Sequence, residues 1–328
     1  NEIIFLIFVS FHNNNISQEN ASRTWSLICK SLLLKIFNQY LVDDFPLYKK
    51  FTFIIGMGKI GVKDLNFTSD IDIVIFFDSK NSPYNSHDFN QSVRKMISEI
   101  SNISLNFFHK IDLRLRPDLG NSYLITDIEN AIEYYSSVGR NWERLAFHRS
   151  QFIGGNILLY DDFMSSIRSF LFRRSFDYYA IDEIKNLFLQ KQTNKLLDIK
   201  NSFGFIRSCE NIIHFNQLLW SGKFESLREN SIHKIFKVLS KYNFLSQEDL
   251  IIIKDAYYYY RKIENYLHIK QNTFQNTVSD NDLFLKSIDP NYFAQLQKKS
   301  KGIQDIFNKL FDNQTPTKDI KLDTFDKK

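Results

Sequence analysis

The sequence predicts an α+β protein: a mixed sheet with helices in the first half, followed by an all-helical bundle. Three observations carry this. Apolar runs at 51–55 and 70–77 read as strands, the first ending in the glycine turn Gly56-Met57-Gly58. Residues 109–116 alternate apolar and polar side chains until Pro117 stops them, a third strand. From Asp161 onward helical periodicity takes over and no segment reads as a strand.

The remaining elements follow in order. Trp25, Ile28, Leu32, Leu33 and Ile36 recur at helical spacing within 20–41, and Val93, Met96, Ile97 and Ile100 do so within 87–103. Residues 127–136 read as a further helix. Long helices are expected at about 163–196, 206–221, 230–241, 247–270 and 290–311. The polar stretch from Asp312 reads as a frayed tail. The expected division is a helical lead-in (1–50), a catalytic domain (51–158), a helical domain (159–312) and a polar tail (313–328).

Composition bounds the function. The 328 residues suit one large or two modest domains, and 10 Gly and 5 Pro leave little room for long linkers. The abundant Phe, Tyr, Ile, Asn and Lys fit an AT-rich coding sequence better than a binding signal. A net charge of +5 suits phosphate-bearing or acidic partners, but no localised Lys/Arg stripe marks a nucleic-acid surface. Cys29 and Cys209 are too far apart for a metal-ligand pair and imply no disulfide framework, so a reducing cytoplasm is expected. The apolar segment Ile3–Val9 is too short to cross a membrane and lacks a basic leader. With Asn at position 1, it reads as a truncated start: the tail of a buried helix or strand. His109, His148 and His214 share no zinc-ligand spacing.

Three constellations carry chemistry. In Ser69-Asp70-Ile71-Asp72-Ile73, strand alternation puts Asp70 and Asp72 on one face and the isoleucines on the other. Two such carboxylates repel unless a cation lies between them, and Mg²⁺ takes carboxylate together with phosphate oxygens. In Asp112-Leu113-Arg114-Leu115-Arg116, the same alternation groups a third carboxylate with two arginines able to neutralise phosphate charge. The turn Gly56-Met57-Gly58-Lys59 can bring backbone amides and one ammonium to a phosphate, although it is not a P-loop. Each motif alone also fits an exposed strand face or a plain turn. Together, a glycine turn, an acid pair on the next strand and a lone acid on a later strand form the layout of a nucleotidyltransferase palm, with Asp70, Asp72 and Asp112 as catalytic and metal-binding carboxylates.

Residues 56–73, Gly-Met-Gly-Lys-Ile-Gly-Val-Lys-Asp-Leu-Asn-Phe-Thr-Ser-Asp-Ile-Asp-Ile, closely resemble the signature of the bacterial glutamine synthetase adenylyltransferase/adenylyl-removase family. Asp112-Leu-Arg-Leu-Arg-Pro117, Gly139-Arg-Asn-Trp-Glu-Arg144, Phe172-Arg-Arg174 and Arg261-Lys-Ile-Glu-Asn265 resemble further landmarks of that family, so the likeness runs from about 20 to 312. The family protein is a tandem duplication whose N-terminal half removes AMP from glutamine synthetase by phosphorolysis and whose C-terminal half adds it from ATP. This chain covers one copy, and its glycine turn and Gly-Arg-x-Trp-Glu-Arg run look more like the removase half.

The resemblance implies two Mg²⁺ ions on Asp70, Asp72 and Asp112, with Gly58, Lys59 and Ser69 lining the phosphate site. It implies AMP, ADP or ATP, inorganic phosphate and glutamine synthetase as partners, with a nitrogen-signalling regulatory protein as a further one, and neither nucleic acid nor membrane. In the helical part, Lys200, Gly204, Arg207 and Glu210 retain the family pattern, while Ser202, Phe205 and Ser208 depart from it, as does Val62 in the first segment. Phe205 is expected to crowd a backbone that approaches the nucleotide. Lys200, Arg207 and Glu210 fit either nucleotide binding or a helix-entry ion pair. Trp142 reads as a core anchor, Glu143 and Arg144 as a buried pair, and Tyr257–Tyr260 as a helix packing face. Two alternatives stay open: ATP-dependent adenylylation, and a decayed copy that only docks on glutamine synthetase.

Overall fold

The computed structural model describes residues 2–13, 15–67, 69–103, 110–117, 120, 122–175, 183–186, 197–271 and 276–311. The expected tail at 313–328, His109, and much of the helix expected at 163–196 lie outside them; the described start of that helix is broken, one helix ending at Ser166, a short one spanning Arg168–Leu171, and 172–175 being non-helical.

The sheet is built on two antiparallel strands, β1 (Thr52–Gly56) and β2 (Ile71–Phe77), paired from Thr52↔Phe77 to Gly56↔Ile73. The edge of β2 is shared by two short parallel strands. Strand β3 (Ile111–Asp112) lies beside Ile71–Asp72, and β4 (Ile125–Asp127) lies beside Ile75–Phe77. Strand β5 (Gln151–Gly155) closes the other side, antiparallel to β1. Neither β4 nor β5 is legible as a strand in the sequence.

The third strand is therefore much shorter than the 109–116 alternation predicts. Strand β4 takes the edge of β2 from Ile75 onward, so the chain must leave that edge after Asp112. Residues beyond it turn, and their alternation no longer sorts side chains onto faces.

Helices cover both faces of the sheet. On one side Phe53, Ile55, Val74 and Phe76 pack under α6 (Ile128–Ser137), α7 (Asn141–His148), α8 (Ile157–Ser166) and α9 (Arg168–Leu171), through Tyr135, Phe147, Phe163 and Leu171. On the other, Ile54, Ile73 and Ile75 join one continuous apolar cluster with α2 (Gln18–Leu41), α5 (Ser86–Ile103) and the helical second half. Burial on both faces is what makes β1 and β2 nearly all apolar. The caps are local: Ser17, Asp127 and Asn156 accept from backbone amides at the starts of α2, α6 and α8.

The second half includes α10 (Ile206–Trp220), α11 (Ile232–Tyr242), α12 (Gln247–Gln271) and α14 (Tyr292–Phe311), close to the expected spans, and α13 (Leu283–Ile288), which the sequence reading does not anticipate. Within α12, Tyr257 and Tyr260 are buried while Tyr258 and Tyr259 are half-buried, as expected of a packing face. The first half also contains α1 (Glu2–His12) and the short α3 (Tyr48–Phe51). Helix α1 buries Ile7 and Phe11 but exposes Ile3, Phe5 and Leu6, so it lies on the surface and is not a buried segment. No helix among the described residues is long and apolar enough to cross a membrane. Both cysteines are buried and unpaired.

Three smaller expectations change. Trp142 is half-buried and does not anchor the core. Glu143 and Arg144 are both buried but hold separate partners: Glu143 accepts from the Arg140 amide and the Tyr134 hydroxyl, while Arg144 donates to Asn141 and the Leu218 carbonyl. Phe205 crowds no cavity. Its ring is buried against Tyr260, with ring centroids 5.1 Å apart.

Candidate active site

The glycine turn and the acid pair are tied together through the backbone. The Met57 amide donates to the Asp72 carbonyl at 2.8 Å, and β1 then enters a single helical turn, α4 (Gly58–Gly61). Gly58 has φ +55°, the left-handed region that favours glycine, and a Cβ there would stand 2.9 Å from Asp72 Oδ2. The missing side chain thus makes room for a carboxylate, where the sequence suggested room for a phosphate.

Asp112 is the register partner of Asp72 across the parallel pair β2–β3, and Asp70 precedes Asp72 by two residues. The three carboxylates line one cavity of about 330 Å³. Burial, with the charges of Asp112 and Asp70, pushes the Asp72 carboxyl up to about 6. Burial also acts to raise Asp112, but hydrogen bonds from Arg114 outweigh it and hold that carboxyl below the usual range. Arg114 Nε lies 3.0 and 2.8 Å from the two Asp112 oxygens, and its backbone amide donates to Oδ1 at 2.9 Å. The Arg114 side chain is 80% exposed, so this grip lies at the cavity mouth.

Lys59, Ser69, Lys200, Arg207 and Glu210 line the same cavity with Gly58. Lys200 lies in the turns before α10, and Arg207 and Glu210 sit one helical turn apart at its start. They are not an ion pair with one another: Glu210 pairs with Arg149 at 3.7 Å. Burial acts to raise the Glu210 carboxyl, and Arg149 brings it below its usual range.

Arg116 is the exception among the expected site residues. Its guanidinium donates to the Tyr123 carbonyl at 2.9 Å and the Leu113 carbonyl at 2.8 Å, bracing the turn after β3 away from the cavity lining. This follows from the early end of β3, because the alternation that grouped Arg116 with Asp112 stops with the strand.

Sequence reasoning missed four lining residues: Asn66, Arg149, His268 and Asn276. Asn66 falls inside the recognised segment 56–73, which was a usable signal. Arg149 caps the end of α7, and His268 and Asn276 lie near the end of α12 and beyond it, with no local pattern to mark them.

The cavity thus gathers Lys59, Arg114, Arg149, Lys200 and Arg207 around Asp70, Asp72, Asp112 and Glu210. Its carboxylates are hard oxygen donors, and the mutual repulsion at Asp72 is what a divalent cation relieves. In this conformation Arg114 supplies that positive charge to Asp112, and among the described residues no three ligating side chains converge on one point. The donors suit a metal in kind and in strand position, and the Arg114 grip on Asp112 is the contact that a bound metal would displace.

A mixed sheet flanked by helices and followed by an all-helical region is the architecture of a nucleotidyltransferase-like domain. Residues 28–165 match the family model described as glutamate-ammonia ligase adenylyltransferase. That match covers less than half of the chain. The chain is also similar to proteins named bifunctional glutamine synthetase adenylyltransferase/adenylyl-removing enzyme. The one from Agrobacterium fabrum is 27% identical over 284 residues, covering 80% of this chain and 29% of that protein. Those from Rhizobium meliloti and Mannheimia haemolytica are 30% and 31% identical, each over 65% of this chain and over 23% and 24% of theirs. The chain spans less than a third of the length of these curated relatives.

Proposed function

We propose that this chain is one nucleotidyl-transfer unit acting on glutamine synthetase, and that it removes AMP by phosphorolysis. The observation that carries nucleotidyl transfer is the single cavity in which five cationic side chains surround the three carboxylates. The relatives' printed names support glutamine synthetase as the substrate. The direction rests on the likeness of Gly56–Ile73 and Gly139–Arg144 to the removase half.

In this reading an oxygen of inorganic phosphate attacks the phosphorus of a tyrosine-linked AMP. The bond from phosphorus to the tyrosine oxygen breaks, that oxygen takes a proton, and ADP and free tyrosine leave. Two like-charged phosphoryl groups must meet, and Lys59, Arg149, Lys200 and Arg207 offset their repulsion. Asp70, Asp72 and Asp112 would hold Mg²⁺, two ions in the full complement, which supplies charge stabilisation to the attacking and leaving oxygens. Arg114, freed from Asp112, would face the phosphates.

The test is to incubate the chain with AMP-modified glutamine synthetase, Mg²⁺ and phosphate, and to follow ADP. Phosphate-dependent ADP that vanishes in Asp72→Asn is the expected result. AMP incorporation from ATP into unmodified glutamine synthetase, with no ADP formed in the first assay, would instead make the chain an adenylylating unit. Inactivity in both directions would leave a docking copy.

A further inference from the structure

Helix α12 sends a buried ion network into the glycine turn. Lys59 Nζ lies 3.3 Å from Glu264 Oε1, joining residues 205 positions apart. The other Glu264 oxygen takes a hydrogen bond from Arg261, whose guanidinium also reaches the Asp64 carboxylate at 3.1 Å and its carbonyl at 2.9 Å. Tyr257 donates to the same Asp64 carboxylate at 2.9 Å. Glu264 is fully buried and Arg261 nearly so, whereas the Lys59 side chain is 14% exposed and lines the cavity.

One carboxylate thus serves two cations, and only one of those cations can reach the cavity. We propose that Glu264 is a positioning residue for Lys59: it holds the ammonium charged at the cavity wall and releases it to a substrate phosphate, so that helix α12 sets the strength of phosphate binding at the glycine turn. Arg261 keeps Asp64 and the peptide around it when Lys59 leaves, so Glu264 retains a cationic partner and is not stranded.

The surrounding charges make Glu264 necessary. Facing Lys59 are Arg261, Glu264 and His268 from α12, Lys200 from the turns before α10, Glu210 from the start of α10, and Asp64 from the turn after α4. Burial and the Arg261 charge bring the Lys59 ammonium down to about 7, with Glu264 opposing them. Burial acts to raise Glu264, but Lys59 and Arg261 hold it far below the usual carboxylate range, so it stays ionised and Lys59 is the partner that yields its proton. Taking away the Glu264 charge leaves burial and the charges of Arg261 and Lys200 opposed only by Glu210 and Asp64, and Lys59 then deprotonates at a lower pH.

The inference rests on the cavity being a nucleotide site, and the probe is Mg²⁺–ADP, measured by calorimetry from pH 6 to 9. Glu264→Gln keeps the side-chain shape. It should bind ADP near the wild-type strength at pH 6 and at least tenfold more weakly at pH 8. Adding Lys59→Arg, whose charge does not titrate in this range, should remove the pH dependence and give a flat profile. An equal loss at every pH, or no rescue by the arginine, makes Glu264 merely structural and overturns the proposal. Should Glu264→Gln fail to melt cooperatively, Glu264→Asp takes its place: it keeps the charge but withdraws it by one methylene. A deficit that grows with pH supports the proposal, and a wild-type profile overturns it. If the wild-type chain binds no ADP at any pH, the nucleotide reading fails together with this inference. If it binds and the Glu264 variants behave as wild type, this inference alone fails.

Discussion

Asp72 and Asp112 stand side by side as register partners of a two-residue parallel strand pair, so two carboxylates from segments forty residues apart share one wall. Burial and the neighbouring charges hold the Asp72 carboxyl at about 6, a cost the fold bears without any packing return.

Asp72→Asn should therefore abolish nucleotidyl transfer and at the same time stabilise the metal-free protein. A rise from 3.8 to about 6 corresponds to a gain on the order of 2–3 kcal/mol on removing the charge. The sign depends on pH. A raised carboxyl pKa penalises the folded state fully above about 6 and not at all below the unfolded value of 3.8. Thermal melts without metal should show the variant several degrees above wild type at pH 8 and level with it near pH 4. A variant that melts below wild type at pH 8 contradicts this account.

Gly58→Ala should damage activity far more than stability. The left-handed φ costs about 1 kcal/mol for alanine, while the new methyl meets the Asp72 carboxylate at 2.9 Å and must displace it. Turnover is expected to fall by roughly 100-fold or more, in line with the sensitivity of reacting groups to displacements near 1 Å. Gly61→Ala is the contrast: its Cβ would lie 2.0 Å from the Arg149 carbonyl, so the fold itself should suffer, visible in a lowered urea midpoint.

The two arginines after Asp112 should separate cleanly. Arg116→Ala removes two hydrogen bonds to the Leu113 and Tyr123 carbonyls and should cost about 1–2 kcal/mol of stability with KM for phosphate unchanged. Arg114→Ala should leave stability nearly intact, because the side chain is exposed, but alter KM or turnover. Steady-state kinetics beside chemical unfolding of both variants distinguishes them, and the reverse assignment would restore the face grouping that alternation suggests.

Three buried histidines make the protein acid-sensitive. Burial lowers His148 to about 3, and His214 and His268 to about 4. Their folded values lie below the unfolded value of about 6.5, so the unfolded chain binds protons that the folded chain refuses. Stability from these groups is complete above pH 6.5 and falls as pH drops toward 4, by about 1.4 kcal/mol per pH unit for each histidine. Urea midpoints measured at pH 7, 6 and 5 should fall progressively, and His148→Gln should flatten part of that slope.

The sequence by itself determined the parts whose signal is local. Apolar runs marked β1 and β2, and period-two spacing put Asp70 and Asp72 together, because a strand's pleat fixes which side chains share a face. Helical periodicity placed the four helices α10, α11, α12 and α14 within a few residues, but not the short α13, which lacks enough turns to show a period. The family likeness pointed to Lys200, Arg207 and Glu210 without saying what they face.

Only the tertiary structure decided which residues meet. The alternation after Asp112 carried no information about β4, whose place on the same edge of β2 ends β3 and turns Arg116 away. Strand β5, half-buried and bracketed by helices, is recognisable as a strand only by its pairing with β1. Arg149, Asn66, His268 and Asn276 enter the cavity from segments that have no shared pattern. The state of Lys59 is likewise invisible locally. It is fixed by Glu264, Arg261, Lys200 and Glu210, whose fields add up only where the chain folds back on itself and excludes water.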